Sequence, residues 1–314
     1  MVVTHGTHAP GRGRLALTVG NFDGVHRGHQ AMLGRVVEKA HQLGVASCVL
    51  TFEPHAREFF APQEAPARLC RVREKLELFA EAGIERTHVA RFDARLAALP
   101  AERFVDDVLV RGLGVQWMLV GRDFRFGAKR AGDFALLERL AQARGFELEA
   151  MPDVAHAGAR VSSSGVRGAL EAGDLARAAR LLGRPYSMSG RVAHGEKVGR
   201  ALGFATANIA LRRRSPLAGI FVVETELEET HERRLRGVAS VGRRPTIRED
   251  GPVLLEVHLL DFEEARHGAL YGRHLRVTFL EKLREERRYD GLDALRAAIA
   301  ADVARAREYF ARHG

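Results

Sequence analysis

The sequence predicts two domains of different class on one chain: an α/β domain built on a parallel sheet, then an antiparallel β barrel or sandwich closed by a C-terminal helix. Three observations carry this. A chain of 314 residues exceeds the usual span of a single domain, so two are expected. Up to about residue 185, apolar strand-like runs alternate with helical patterns, the rhythm of a helix-covered parallel sheet. Beyond that point strand-like runs follow one another across turns with no helix between them, as in antiparallel barrels and sandwiches.

The elements follow in order. The first 14 residues, with their Gly and His content, read as a loose arm. "LALTVG" reads as the first strand, and a helix begins near Arg27. Strand "ASCVLTF" precedes helix "VREKLELFAEAG"; strand "RTHVARF" precedes helix "AERFVDDVLVRGL"; strand "VQWMLVG" precedes helix "GDFALLERLAQARG". Two short helices near Ser164–Ala172 and Leu175–Leu182 lead to "GRPYSMSG", which reads as a linker. In the second half "GRVAHG", "FATANIA", "GIFVVETELE", "RLRGVASVG", "VLLEVHLLDF" and "LRVTFLEKL" read as strands. "LDALRAAIAADVARAREYF" is a strongly amphipathic helix. There is no internal repeat and no low-complexity segment.

Composition narrows the function classes. No N-terminal apolar stretch suits a signal peptide and no run suits a bilayer span, so a cytoplasmic protein with no membrane partner is expected. Cys48 and Cys70 form no metal spacing and read as free, buried thiols. The net charge of +9 and pI near 10.2 invite a nucleic-acid reading. Many arginines, however, stand beside glutamates on helical segments, the pattern of solvated helix faces. The run Arg212–Arg214 is short, and a basic surface suits polyanionic small molecules equally well. Nucleic acid is therefore not expected as the main partner.

"TVGNFDGVHRGHQAML", from Thr18, carries the most chemistry. His26 and His29 stand where the first strand turns into a helix, and positions three apart share a helix face. Both imidazoles then point at whatever lies over the helix N-terminus, where backbone N–H groups and the helix dipole attract phosphate. Gly24 and Gly28 permit close approach. A metal pair or core packing are the competing readings, but no third ligand has sensible spacing. In "VSSSGVR" an N-cap explains one hydroxyl, not the flanking Arg160 and Arg167, which suit forked phosphate contacts. Asp123, Phe124 and Phe126 stand at the carboxyl end of a strand, the ligand edge of open α/β sheets, although core packing is an equal reading for the phenylalanines. "GEKVGRALGFATAN" is glycine-rich but is not a P-loop. Glu256 and His258 point to one face of an alternating strand, which is either a working face or an exposed charged one.

Taken together, "NFDGVHRGHQ", "FEPHAREFF", "LVGRDFRFG", "RVSSSGVRGAL", "GRVAHGEKVGRALGFATAN", "GVASVGRRPT", "LEVHLLDF" and "LYGRHLRV" resemble the bacterial bifunctional FAD synthetases, in order and over nearly the whole chain after the arm. The resemblance implies a Rossmann-like nucleotidyltransferase domain over 15–184 and a flavokinase barrel with its C-terminal helix over 185–314. The first would adenylylate FMN from ATP, giving FAD and pyrophosphate; the second would phosphorylate riboflavin to FMN.

The same resemblance implies residue roles. In the first domain, His26 and His29 are catalytic, and Gly20, Phe22, Gly28, Arg160, Ser163, Ser164 and Arg167 meet ATP. Asp123, Phe124 and Phe126 line the flavin side. In the second, Gly195, Lys197, Gly199, Arg200, Thr206 and Asn208 serve the kinase ATP, with Thr206 and Asn208 also serving Mg²⁺. Glu256 is the general base. Ala205 replaces the family's proline, which leaves that loop looser. The competing expectations are a monofunctional adenylyltransferase with an impaired kinase half, or a basic flavin- or nucleic-acid-binding regulator on the same scaffold. A homo-oligomer is left open.

Overall fold

The computed structural model describes residues 1–6, 13–152, 155–156, 159–193, 206–211, 214–227, 235–243, 253–262 and 270–313. The chain forms two compact units, Met1–Pro66 with Cys70–Ser162, and Ala67–Leu69 with Ser163–Gly314. This division lies ahead of the expected boundary at 184. Among the described residues no helix is long and apolar enough to cross a membrane.

The first unit runs β1 (Val2–Gly6), β2 (Leu15–Val19), α1 (Arg27–Leu43), β3 (Ala46–Glu53), α2 (Ala56–Phe60), α3 (Val72–Glu81), β4 (Arg86–Arg91), α4 (Ala94–Ala97) and α5 (Ala101–Arg103). A π-helix over Phe104–Gly112, β5 (Val115–Gly121), a 3₁₀ turn over Ala128–Arg130, α6 (Phe134–Arg144), β6 (Glu147–Met151), β7 (Ala155–His156) and β8 (Ala159–Arg160) complete it. Six parallel strands stand in the order β1-β4-β3-β2-β5-β6. Alternation along β2 explains the two cores. Leu15, Leu17 and Val19 pack with Leu109 and Leu137 on one face; Ala16 packs with Leu33, Val36, Phe79 and Trp117 on the other. Helix α1 ends at Gly44, whose φ of 64° caps it in the left-handed region.

The expected loose arm is corrected in part. Val2–Gly6 is a strand paired in parallel with β4, from Val2 opposite Arg86 to Gly6 opposite Ala90. Strand β6 is absent from the sequence reading, although charged and apolar residues alternate from Glu147 to Ala150 in this short segment. It is tied to α1 by Glu149, which accepts from both Arg35 Nε and Nη2 at 2.9 Å.

The second unit opens with α7 (Ser163–Glu171) and α8 (Leu175–Leu182). Then come β9 (Ser187–Arg191), β10 (Thr206–Leu211), β11 (Gly219–Leu227), β12 (Leu235–Arg243), β13 (Val253–Leu259), β14 (His274–Arg284) and α9 (Leu292–His313). The expected linker is therefore partly strand: Ser187–Arg191 pairs antiparallel with β14. The sheet is antiparallel in the order β10-β13-β12-β11-β14-β9. An Ala193–Asn208 bridge joins its two edges, so the sheet closes into a barrel. Helix α9 buries Ala306 and Phe310 against Ile220, Val222, Val238 and Leu283. Arg284 Nη2 on β14 meets Asp302 Oδ2 on α9 at 2.6 Å, with the Asp302 side chain 6% exposed.

Candidate active sites

In the first sheet, the chain winds from β2 through β3 to β4 on one side and from β5 to β6 on the other. The crevice beyond the carboxyl ends of β2 and β5 is thus the topological switch point, where open α/β sheets bind ligands. Both expected loops arrive there: Gly20–His26 follows β2 and Arg122–Gly127 follows β5. A cavity of about 980 Å³ opens at this place. Gly20, Asn21, Asp123, Phe124 and Phe126 line it, with Phe52, Phe60, Phe92 and Phe104. Arg57, Arg125, Lys129 and Arg130 line it too.

The loop into α1 is tightly folded. Phe22 has φ 48° and Val25 φ 42°, both left-handed and both buried, 2% and 1% exposed. A β-branched residue in that region costs about 1–3 kcal/mol, held in place by the surroundings. The Phe22 ring packs on Phe79 at 5.4 Å and on the His29 ring at 5.0 Å. The Phe22 ring is thus taken up by packing.

His26 caps α1: its Nδ1 accepts the His29 N–H at 3.3 Å. The two imidazoles stack, 3.6 Å between centres and 13° from parallel. A Cβ on Gly28 would stand 3.2 Å from His26 Cε1 and Nδ1, so glycine clears the ring. Burial, then His26, then the Lys75 charge hold His29 well below the ordinary histidine pKa. Its Nδ1 is buried without a hydrogen-bond partner. A neutral imidazole beside backbone N–H groups is fit to donate to a phosphate oxygen.

The Phe124 and Phe126 rings stack at 5.6 Å, pack against the core and line the cavity. Asp123 accepts Arg160 Nη2 at 2.8 Å, an exposed pair. In the second unit, Ser163 and Ser164 open α7, and Arg167 Nε donates to the Ala67 carbonyl at 2.6 Å.

The barrel has a cavity of about 920 Å³, lined by Thr206, Ser240, Glu256, His258, Arg284, Glu286, Tyr289 and residues of α9. Register explains the grouping. Asn208 lies opposite Glu256, and Glu256 opposite Ser240, so the three form one row across β10, β13 and β12. The Asn208 Oδ1 is buried with no hydrogen-bond partner. Ser240 Oγ donates to Glu286 Oε1 at 2.8 Å. Burial raises the Glu286 pKa, and the Glu256 charge adds to the rise. Gly195, Lys197, Gly199, Arg200 and Ala205 lie outside the described residues.

Sequence reading did not single out Arg57, Arg125, Lys129, Arg130, Ser240 or Glu286. The basic four are scattered over three segments and converge only in the fold. Ser240 and Glu286 carry no motif, and strand register alone brings them to Glu256.

Comparison with known proteins now decides the family. Residues 10–165 match the family described as FAD synthetase, and 182–310 match riboflavin kinase. A bifunctional riboflavin kinase/FMN adenylyltransferase of Pseudomonas fluorescens is 51% identical over 304 residues, 96% of this chain and 95% of that protein. The chain belongs to this family. The namesake of Escherichia coli K12 is 46% identical over 308 residues, covering 97% of this chain and 95% of the relative. A crystal structure titled macrolide-efflux protein, from Streptococcus pneumoniae, superposes with a TM-score of 0.80 at 25% identity, covering 98% of this chain and 99% of that one. The first match covers the parallel sheet from β2 onward, and the second covers the barrel with most of its C-terminal helix.

Proposed function

We propose that the two reactions use the two expected residue sets, part of each lining the cavity of one unit. The enzyme is a bifunctional transferase whose substrates are ATP, riboflavin and FMN. Riboflavin is phosphorylated to FMN in the barrel, and FMN is adenylylated to FAD in the α/β unit. We take 15–184 and 185–314 as the functional domains, in keeping with the family matches.

In adenylyl transfer, an oxygen of the FMN phosphate attacks the α-phosphorus of ATP in line, and pyrophosphate leaves. No protein nucleophile is needed; orientation and charge stabilisation suffice. The stacked His26 and His29 and the N-terminal N–H groups of α1 donate to the α-phosphate, with Gly20 and Gly28 allowing the approach. The phenylalanines of the cavity, Phe124 and Phe126 among them, take the flavin ring. The basic rim receives the FMN phosphate, and Asp123 borders the flavin side. Arg160, Ser163, Ser164 and Arg167 hold ATP phosphates.

In the kinase, Glu256 accepts the proton of the ribityl 5′-hydroxyl as that oxygen attacks the γ-phosphorus and ADP departs. Thr206 and Asn208 share one strand face, and the buried, unpartnered Asn208 Oδ1 suits a hard cation that prefers oxygen donors. These two residues would hold Mg²⁺, which neutralises phosphate charge when bound. Gly195, Lys197, Gly199 and Arg200 complete the ATP contacts.

The observation that carries the reading is the presence of two cavities in two units, each lined by part of one expected residue set. A chromatographic time course tests it, with riboflavin, ATP and Mg²⁺ in one reaction and FMN replacing riboflavin in another. FMN should precede FAD in the first, and FAD should form directly in the second. FAD from supplied FMN alone would remove the kinase half of the proposal.

A further inference from the structure

The turn that follows Phe126 holds its backbone in an uncommon shape. Lys129 and Arg130 stand side by side with φ 53° and 58°, both left-handed. Side chains longer than glycine seldom enter that region, and the surroundings must enforce it. Here they do. The Phe126 N–H donates to the Gly132 carbonyl at 3.1 Å and the Gly132 N–H to the Phe126 carbonyl at 2.9 Å, which closes the turn at its base. A Cβ on Gly132 would stand 2.7 Å from the Phe126 ring, and one on Gly127 would stand 2.6 Å from Ala101 Cα. The Ala128 N–H donates to the Leu99 carbonyl at 2.8 Å, so the turn is fastened from outside as well. Lys129 and Arg130 both line the cavity. With Arg57 and Arg125 they make four cations there against two carboxylates, Glu64 and Asp123. Asp123 meets Arg160 at 2.8 Å, and Arg125 reaches Asp133 at 3.7 Å.

From this geometry we infer that the turn carrying Lys129 and Arg130 selects the adenylyl acceptor, admitting FMN in preference to riboflavin. This deepens the reading of the cavity as the FMN site and rests on it. Both flavins share the ring and the ribityl chain, so packing on Phe124 and Phe126 holds them alike. They differ at one end. There FMN bears a phosphate of about 1.5 to 2 negative charges at pH 7, and riboflavin bears a neutral hydroxyl. Riboflavin in the cavity would compete with FMN without offering the phosphate oxygen that the reaction uses. Charge at that end is what separates the two. A fastened turn presents its cations already ordered, so charge-assisted hydrogen bonds to phosphate form at little entropic cost. A right-handed backbone at either residue would redirect its side chain, and the anchors on both sides prevent this.

The test uses the full chain with ATP and Mg²⁺ and reads FAD made from supplied FMN. The neutral flavin probe is 5′-deoxyriboflavin, which has no hydroxyl for the barrel to phosphorylate, used as a competitor. Lys129 and Arg130 are exposed, so substitution there leaves the fold alone. Lys129→Gln with Arg130→Gln should raise the FMN KM about 100-fold, about tenfold for each charge removed. The adenylylation kcat and the ATP KM should move less than about twofold. Inhibition by 5′-deoxyriboflavin should be unchanged, so that preference for the charged flavin falls about 100-fold. Exchanging the pair as Lys129→Arg with Arg130→Lys keeps both charges and should keep the FMN KM within about threefold. An unchanged FMN KM in the Gln pair overturns the proposal. So does equal weakening of FMN and of the probe, which would mean lost packing, or a rise in the ATP KM in place of the FMN KM, which would give the turn to the ATP phosphates. Phe124→Ala runs alongside. An unmoved FMN KM there would remove the cavity as the FMN site, whereas a raised one beside an unmoved Gln pair would overturn the role of the turn alone.

Discussion

The imidazoles of His26 and His29 lie face to face, 3.6 Å between ring centres, and the ring edge of His26 borders the place where a Cβ at residue 28 would stand. Gly28→Ala should therefore shift the His26 ring by a few tenths of an ångström without touching the barrel. Adenylylation should fall, by less than the about 100-fold that a 1 Å misplacement costs, and riboflavin phosphorylation should be unaffected. Steady-state rates of both reactions check it.

The depressed His29 pKa fixes a sign. Burial, His26 and Lys75 favour the neutral ring in the folded protein, so the unfolded chain takes up the proton first as pH falls. The resulting stability is intact above the ordinary histidine value and is lost as pH drops through the lower, folded one. Thermal unfolding of the α/β unit should show Tm falling with acidification below about pH 6.5, with a shallower fall in His29→Ala.

Asn208 sets function against stability. Its buried Oδ1 has no hydrogen-bond partner, a state that costs about 1–3 kcal/mol. Asn208→Leu should leave Tm unchanged or higher while FMN formation from riboflavin collapses. A lower Tm together with intact kinase activity would count against its place at the phosphates.

Removing the base should divide the two reactions. Glu256→Gln should slow FMN formation about a thousandfold and leave conversion of supplied FMN to FAD largely intact. Parallel chromatographic assays on one preparation read both numbers.

Two ion pairs of similar length should differ widely in worth. Arg284–Asp302 at 2.6 Å has an acid 6% exposed, whereas Asp123–Arg160 at 2.8 Å has side chains 72% and 57% exposed. Asp302→Ala strands a partly buried guanidinium and should destabilise the barrel by about 3 kcal/mol. Asp123→Ala should cost less than about 1 kcal/mol. Denaturant melts of the two variants give the comparison.

Much of this was legible in the residues. The rhythm of apolar runs gives both fold classes, because strand and helix periods differ and each half keeps to one rhythm. The glycine-histidine turn is readable because its chemistry lies within one short segment. What escaped depends on distant partners. Val2–Gly6 is a strand only because β4 lies ready to pair with it, and the polar "SMSGR" is a strand because β14 supplies its hydrogen bonds. Lys75 reads as one more lysine on a charged helix; only its burial shows otherwise. Glu286 reaches Ser240 across 46 positions of sequence, a distance over which no local pattern speaks.

The left-handed backbone at Val25 has a consequence for evolution in the laboratory. A glycine there would adopt φ 42° without the steric cost that valine bears, but it would empty a core site in which valine is 1% exposed. The lost side chain is worth about 1.5–3 kcal/mol, as much as the strain relieved. A population of variants selected for heat resistance alone therefore finds no easy gain at this turn. The approach to α1 is guarded by its own packing, and hardier forms of this enzyme arise elsewhere in the chain.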